Sequence, residues 1–188
     1  MAGVHQIWDM NILDNNILAL AGSGNEGLLD GDPKTACLAQ PSGLDVNRGH
    51  IYFVDSETSS VRSLNLNGDQ KVHTLIGTGL FEYGDLDAIG TEAKLQHPMG
   101  IEIYKENIYV ADTYNNKIKV LSLDKVEVST LAGDGKPRLL DGLNSHSSFY
   151  EPSGLTAINN KIYIADTNNH AIRIIDLDIG EVETLELI

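Results

Sequence analysis

Cysteine is nearly absent from this chain. Cys37 stands alone among 188 residues, so no internal disulfide can form and nothing ties the protein to an oxidising compartment. A cytoplasmic protein is the expectation. No run of 18 apolar residues occurs, which excludes a membrane-spanning helix, and the opening MAGVHQIWDMN lacks both the basic region and the apolar core of a secretory leader. Positive charge is scarce, with 13 basic against 27 acidic residues and a formal net charge of −14. A phosphate backbone is repelled by such a field unless the cations gather on one face. Lys117, Lys119, Lys125, Lys136 and Arg138 lie within one stretch, but Asp124, Glu127, Asp134 and Asp141 are interleaved with them. No nucleic-acid partner is expected. Helical periodicity is missing throughout, and the glycine-rich pieces AGSGNEG and AGDGKP match neither common phosphate-loop pattern.

What the chain has instead is repetition. Leu95 to Gly133 holds four apolar runs, Gly100 to Tyr104, Asn107 to Asp112, Lys117 to Leu123 and Glu127 to Ala132, rich in Ile, Val, Leu and Tyr. Glycine, asparagine, aspartate or charged pairs bound each run, which is how consecutive antiparallel strands read. The same pattern is written again on either side. Pro41, Pro98 and Pro152 recur 57 and 54 residues apart, and each stands two residues before a glycine, Gly43, Gly100 or Gly154. An aspartate follows twelve residues beyond each glycine (Asp55, Asp112, Asp166), and the third strand begins six further on at Val61, Ile118 or Ile172. Another aspartate precedes each proline by eleven residues: Asp30, Asp87 and Asp141. Agreement at so many offsets makes this a repeat architecture.

The first residues fill only part of a repeat. Aligning Ile7 with Ile118 and Ile172 makes HQIWDM a third strand, with Met1 at the aspartate position and His5 beside Asn116 and His170; NILALAG then becomes a fourth. The division of the single domain 1–188 is a half unit over 1–24 and full units over 38–79, 95–135 and 149–188. Long polar connections join them. In each connection an apolar residue three before the proline (Leu38, Leu95, Phe149) follows a small one (Ala36, Ala93, Ser147), a pattern that reads as an anchor for the crossover rather than a binding loop.

Four-stranded sheets repeated at this spacing are the signature of a β-propeller, in which sheets pack face to face around a channel. The motifs IYVADTYNNKI and IYIADTNNHAI, with P-x-G-(L/I) before them and TLAG after the former, resemble the NHL-repeat family. AGSGNE, AQPSGL, KLQHPMG and ADTNNHAIR look closest to the propeller of those members in which it follows a thioredoxin-like domain. The resemblance covers nearly the whole chain and implies an all-β fold, a partial ring of about three and a half four-stranded blades. Three and a half blades leave apolar faces and a strand edge uncovered. The expected remedy is a homodimer in which six complete blades, three per copy, approximate a ring, or the missing blades of a longer protein.

A propeller fold implies a channel mouth formed by the residues before the prolines, Gln40, His97 and Glu151. Asp45, Glu102 and Thr156 alternate with apolar neighbours along the same first strands and are the next candidates to line the channel. One histidine with two carboxylates could hold a divalent cation if they converged, and family relatives, an amidating lyase and lactonases among them, hold metals there. The alternative function is accordingly a metal-dependent hydrolase or lyase, or a small-ligand binder. A polar channel without ligand is preferred, and no cofactor is expected. Asp55, Asp112 and Asp166 recur once per sheet, as turn caps do and as a catalytic group does not. His5 and His170 read as structural hydrogen-bonding groups, and Cys37 has no histidine base at a meaningful spacing. The leading reading is a non-enzymatic scaffold receiving a protein partner or a basic ligand.

Overall fold

The computed structural model describes residues 5–186. Fifteen strands form four antiparallel sheets among them. β1 (Ile7–Met10) and β2 (Ile17–Ala21) make the half blade; β3 (Pro41–Asn47), β4 (His50–Asp55), β5 (Ser60–Asn65) and β6 (Val72–Ile76) make blade 1. Blade 2 contains β7 (Gly100–Tyr104), β8 (Asn107–Asp112), β9 (Lys117–Ser122) and β10 (Glu127–Ala132). Blade 3 contains β11 (Gly142–Leu143), β12 (Pro152–Ile158), β13 (Lys161–Asp166), β14 (Ala171–Asp176) and β15 (Glu181–Thr184). The placement of Met1 at the aspartate position lies outside the described residues.

Local chemistry sets the strand ends. β3 turns into β4 through Arg48 and Gly49, and β12 into β13 through Asn159 and Asn160, all at positive φ. Two such residues in a row give the mirror-image turn whose twist matches a hairpin, and asparagine and glycine tolerate it best. Between the second and third strands each intact blade makes a single 3-10 turn closed by a left-handed residue, Ser59, Asn116 or His170. His5 has the same backbone conformation at the same place before β1.

The apolar core is divided into layers between sheets. Ile7 and Ala21 of the half blade meet Leu38, Phe53, Leu64 and Val72 of blade 1. Val54, Val61 and Ile76 of blade 1 meet Leu95, Ile101, Ile108 and Leu121 of blade 2. Ile118 and Ala132 of blade 2 meet Phe149, Ile162, Ile164 and Ile175 of blade 3. The connection residues Leu38, Leu95 and Phe149 thus sit inside the layers, where full burial of such a side chain is worth roughly 1.5–3 kcal/mol. Layering of this kind is the propeller arrangement, and the chain is an arc of it.

The third sheet has five strands where four were expected, because its connection adds β11 outside β15. Gly31 bridges Val72 and Ile89 bridges Glu127 at the corresponding edges of blades 1 and 2. Each connection therefore covers the outer edge of its blade, a position that otherwise invites pairing with a foreign strand. At the two ends of the arc the layers stop. Val61 and Ile118 are 0% exposed, yet Ile172, the same position in blade 3, is 36% exposed. Leu44 and Val46 on β3 are half exposed, whereas Ile101, the counterpart of Leu44, is buried.

Candidate functional site

Asp55 and Asp166, the repeated aspartates, each begin a 3-10 turn, but their side chains do not cap it. One carboxylate oxygen accepts the amide N–H of the preceding connection, Ala39 for Asp55 and Tyr150 for Asp166, each at 2.7 Å. The other accepts from a fully buried arginine seven residues on, Arg62 at 2.9 Å and Arg173 at 2.8 Å. The same guanidinium reaches across the blade to the other repeated aspartate, Asp30 for Arg62 and Asp141 for Arg173. It also donates to the carbonyls of Cys37 and Leu29, or of Ser148 and Leu140. One planar donor group thereby ties the second strand, the third strand and the connection together, a task suited to the fixed fork of arginine. Burial works against the charge of Asp30 and Asp141, but bonds from the threonine of the fourth strand and the arginine hold both carboxyls below the ordinary range.

Blade 2 builds the same site with lysine. Lys119 donates to Asp85 at 2.7 Å, Asp87 at 2.6 Å and Thr130 at 2.9 Å, which uses the three protons of an ammonium. Asp85 has no acidic counterpart: the equivalent positions are Leu28 and Leu139. Asp112 accepts from the Gln96 amide and from Asn115 instead. Burial pushes its carboxyl up to about 7, while Asp85 and Asp87 keep Lys119 charged against its own desolvation.

The residues before the prolines are joints between blades. Gln40, His97 and Glu151 all have positive φ, an uncommon conformation for residues that are not glycine, and the position before proline disfavours departures from extended backbone. Each backbone N–H donates to the left-handed residue of the preceding blade: Gln40 to His5 Nδ1 at 3.3 Å, His97 to Ser59 Oγ at 3.1 Å, Glu151 to Asn116 Oδ1 at 2.9 Å. Asp45 accepts the Ile103 amide at 2.8 Å, and Glu102 accepts the Ala157 amide at 2.9 Å and the Thr156 hydroxyl at 3.3 Å. These side chains, candidates for the channel wall, bridge neighbouring first strands. Among the described residues no three His, Cys, Asp or Glu side chains come together as a metal site would require. The carboxylate of Glu151 is instead engaged by Asn168 at 2.8 Å.

His97, its side chain 20% exposed, packs beside an exposed tyrosine. Its ring stacks on Tyr114 with centroids 4.5 Å apart and planes 10° from parallel, and Nδ1 stands 3.9 Å from the Glu57 carboxylate of blade 1. The segment carrying Phe81 and Tyr83 is fastened to the same rim, since the Gly84 amide donates to Leu95 O and Asn115 donates to Gly84 O. Phe81 is 82% exposed and Tyr114 50%. Sequence reasoning passed over Tyr114 and Glu57, although both stand two residues after a repeated aspartate. It also passed over Arg62, Lys119 and Arg173, whose signal was a basic residue seven beyond each of those aspartates.

A profile of the NHL repeat family matches residues 149–175. Over its whole length the chain is 41% identical to Protein SUPPRESSOR OF QUENCHING 1, chloroplastic, of Arabidopsis thaliana, and covers 19% of that protein. It is 39% identical to NHL repeat-containing protein 2 of Homo sapiens, again over all of the chain, and covers 29% of it. The chain thus spans less than a third of these relatives. Among solved structures, a Bacteroides thetaiotaomicron protein of unknown function superposes with a TM-score of 0.69 at 19% identity, over 96% of this chain and 43% of the other. An auxiliary nutrient binding protein from Bacteroides ovatus gives 0.67 at 17%, over 97% and 44%. At these identities the likeness is one of fold.

Proposed function

The chain belongs to the NHL-repeat family of β-propellers, and from that premise we propose that it is a non-enzymatic interaction scaffold that receives a basic protein segment on the rim around His97 and Tyr114. The observation that carries this reading is the His97–Tyr114 stack, with His97 Nδ1 3.9 Å from the Glu57 carboxylate, and the exposed Phe81 and Tyr83 on the segment that Asn115 holds through Gly84 O. Aromatic side chains give large contact area at low entropic cost, and they are enriched where proteins meet. Arginine or lysine from a partner gains both ring faces and carboxylates there. The net charge of −14 attracts such a segment and repels nucleic acid. The polar residues that repeat from blade to blade are engaged in the joints described above, so they support the framework beneath this surface. The single cysteine favours a reducing compartment, and we assign the protein to the cytoplasm.

Fluorescence anisotropy with labelled peptides tests the reading. An arginine-rich peptide is expected to bind, more weakly as salt rises, and a glutamate-rich peptide of equal length is not. Phe81→Ala with Tyr114→Ala is expected to weaken binding by about tenfold or more, a loss of about 1.4 kcal/mol, without lowering the melting temperature. Equal binding of the two peptides, or binding that survives the double substitution, contradicts the proposal.

A further inference from the structure

Blade 2 has an intact blade on either side, and among the described residues its repeated aspartate is the one of the three that no cation bonds. Asp55 and Asp166 each receive a guanidinium, whereas Lys119 gives its three protons to Asp85, Asp87 and Thr130. The carboxyl of Asp112 is fully buried and joins the parts of the rim. Oδ1 accepts the amide of Gln96, the residue before His97, at 2.7 Å, and the Gln96 carbonyl in turn accepts the amide of Tyr114 at 3.1 Å. Oδ2 accepts from the Asn115 side chain at 2.8 Å, and the same nitrogen donates to Gly84 O at 2.7 Å, which fixes the segment carrying Phe81 and Tyr83. The other blades do not share this last link. Thr58 stands at the place of Asn115 in blade 1, and the side-chain amide of Asn169 in blade 3 donates only to Asp166 among the described residues. One carboxyl is thereby connected to every element that carries a rim aromatic.

We propose that Asp112 is the proton switch of the rim, an inference that rests on the rim being the docking surface: a basic segment docks with release of the Asp112 proton to solvent, so binding strengthens as the carboxyl ionises. Two effects give it that sign. A buried carboxylate attracts a cation at the rim through protein rather than water, where charges interact more strongly. An ionised carboxylate also accepts hydrogen bonds more strongly than a neutral carboxyl, so ionisation tightens its hold on Gln96 and Asn115 and, through them, on the aromatic side chains. Burial pushes the carboxyl up to about 7, which sets the change of state near neutral pH. The charges facing it are Lys119 of β9, held by Asp85 and Asp87, and Asp85 itself, which Lys117 also bonds. On the rim side stand His97 and, 3.9 Å from its Nδ1, the Glu57 carboxylate. Lys119 favours ionisation and Asp85 opposes it. Neither bonds the carboxyl, so the cation of a docked segment is the charge that tips the balance.

Binding and nuclear magnetic resonance titrations on the full chain test this together. A labelled arginine-rich peptide is expected to bind about threefold or more tightly at pH 8 than at pH 6, with proton release seen by calorimetry in buffers of different ionisation enthalpy. Without peptide, the signals of the Gln96 amide and the Asn115 side-chain amide are expected to titrate together near pH 7. Histidine changes charge in the same range, and Lys119→Arg separates the two groups. Its guanidinium reaches Asp112 and leaves the contacts of His97 with Tyr114 and Glu57 in place. Both the amide titration and the rise in affinity are expected to move down by about 1 pH unit or more in that variant. Amides of Gln96 and Asn115 that do not titrate overturn the switch whether or not the peptide binds, and so does a midpoint indifferent to Lys119→Arg. Binding that ignores pH while the amides titrate overturns the coupling to docking. A peptide that binds at no pH, with the amides still titrating, overturns the rim as docking surface and the coupling with it.

Discussion

Lys119 occupies in blade 2 the place that Arg62 and Arg173 hold in blades 1 and 3, and its ammonium makes no hydrogen bond to Asp112. A guanidinium spans from Asp55 to Asp30 because its two terminal nitrogens diverge; an ammonium is a point with three protons, and Asp85, Asp87 and Thr130 take them all. The carboxyl of Asp112 is left fully buried without a directly bonded cation, faced by Lys119 and Asp85 at longer range.

Asp112, with Asp55 shifted the same way by burial, is expected to make the stability of the chain fall with rising pH. Its carboxyl is raised from an ordinary 3.8 to about 7 in the fold, so its contribution is complete below about 4 and is lost as pH rises through about 7. Asp30, Asp85, Asp87 and Asp141 are shifted the other way, and their contribution is lost only as pH falls below the ordinary carboxylate value. Melting temperatures measured across this range are expected to be highest near pH 5 and to decline toward pH 8. A profile that is flat or rises between those limits contradicts the assignment.

Lys119→Arg should reduce that decline without abolishing it, since burial raises the carboxyl of Asp55 even beside Arg62. An arginine at 119 finds the carbonyls of Leu86 and Lys94 where Arg62 finds those of Leu29 and Cys37, and it reaches Asp112 as well as Asp87. The cost is a buried Nε–H without a partner, which Arg62 and Arg173 both already carry. The measurement is the difference in melting temperature between pH 5 and pH 8, expected to shrink in the variant. Asp55→Asn, by contrast, weakens the buried bond to Arg62 and is expected to destabilise by about 3–5 kcal/mol in chemical denaturation.

The repeated first-strand glycines divide by position. Gly100→Ala drives a Cβ into the Ser153 carbonyl of blade 3, and Gly43→Ala presses on Met99 O, so both are expected to lower the melting temperature clearly. Gly154→Ala meets no atom and is expected to leave it unchanged in the monomer. Equal effects at all three positions would show that the first strands do not pack as described.

The strands and their repeat were legible because the turns announce them. Three runs read from blade 2, Gly100 to Tyr104, Asn107 to Asp112 and Glu127 to Ala132, are β7, β8 and β10 to the residue, and β9 ends one residue early at Ser122. The arginines were not legible as buried groups, since a basic residue inside an alternating strand reads as a solvent-facing one. Only the sheets' contact with the connection carrying Asp30 and Asp141 shows otherwise. Asp45 and Glu102 were read as channel-facing, but alternation alone cannot say whether that side of a strand looks into a channel or at the next blade, whose amides these carboxylates accept. Phe81 and Tyr83 lie in an irregular connection, where no period distinguishes an exposed aromatic from an anchor such as Leu95.

Residue-resolved hydrogen exchange tests most directly whether the repeated polar positions are joints between blades. The amides of His97, Ile103, Glu151 and Ala157 each donate to a side chain of the preceding blade and are predicted to exchange slowly, like amides inside the strands. Exchange at these four as fast as at the exposed Phe81 would contradict the account.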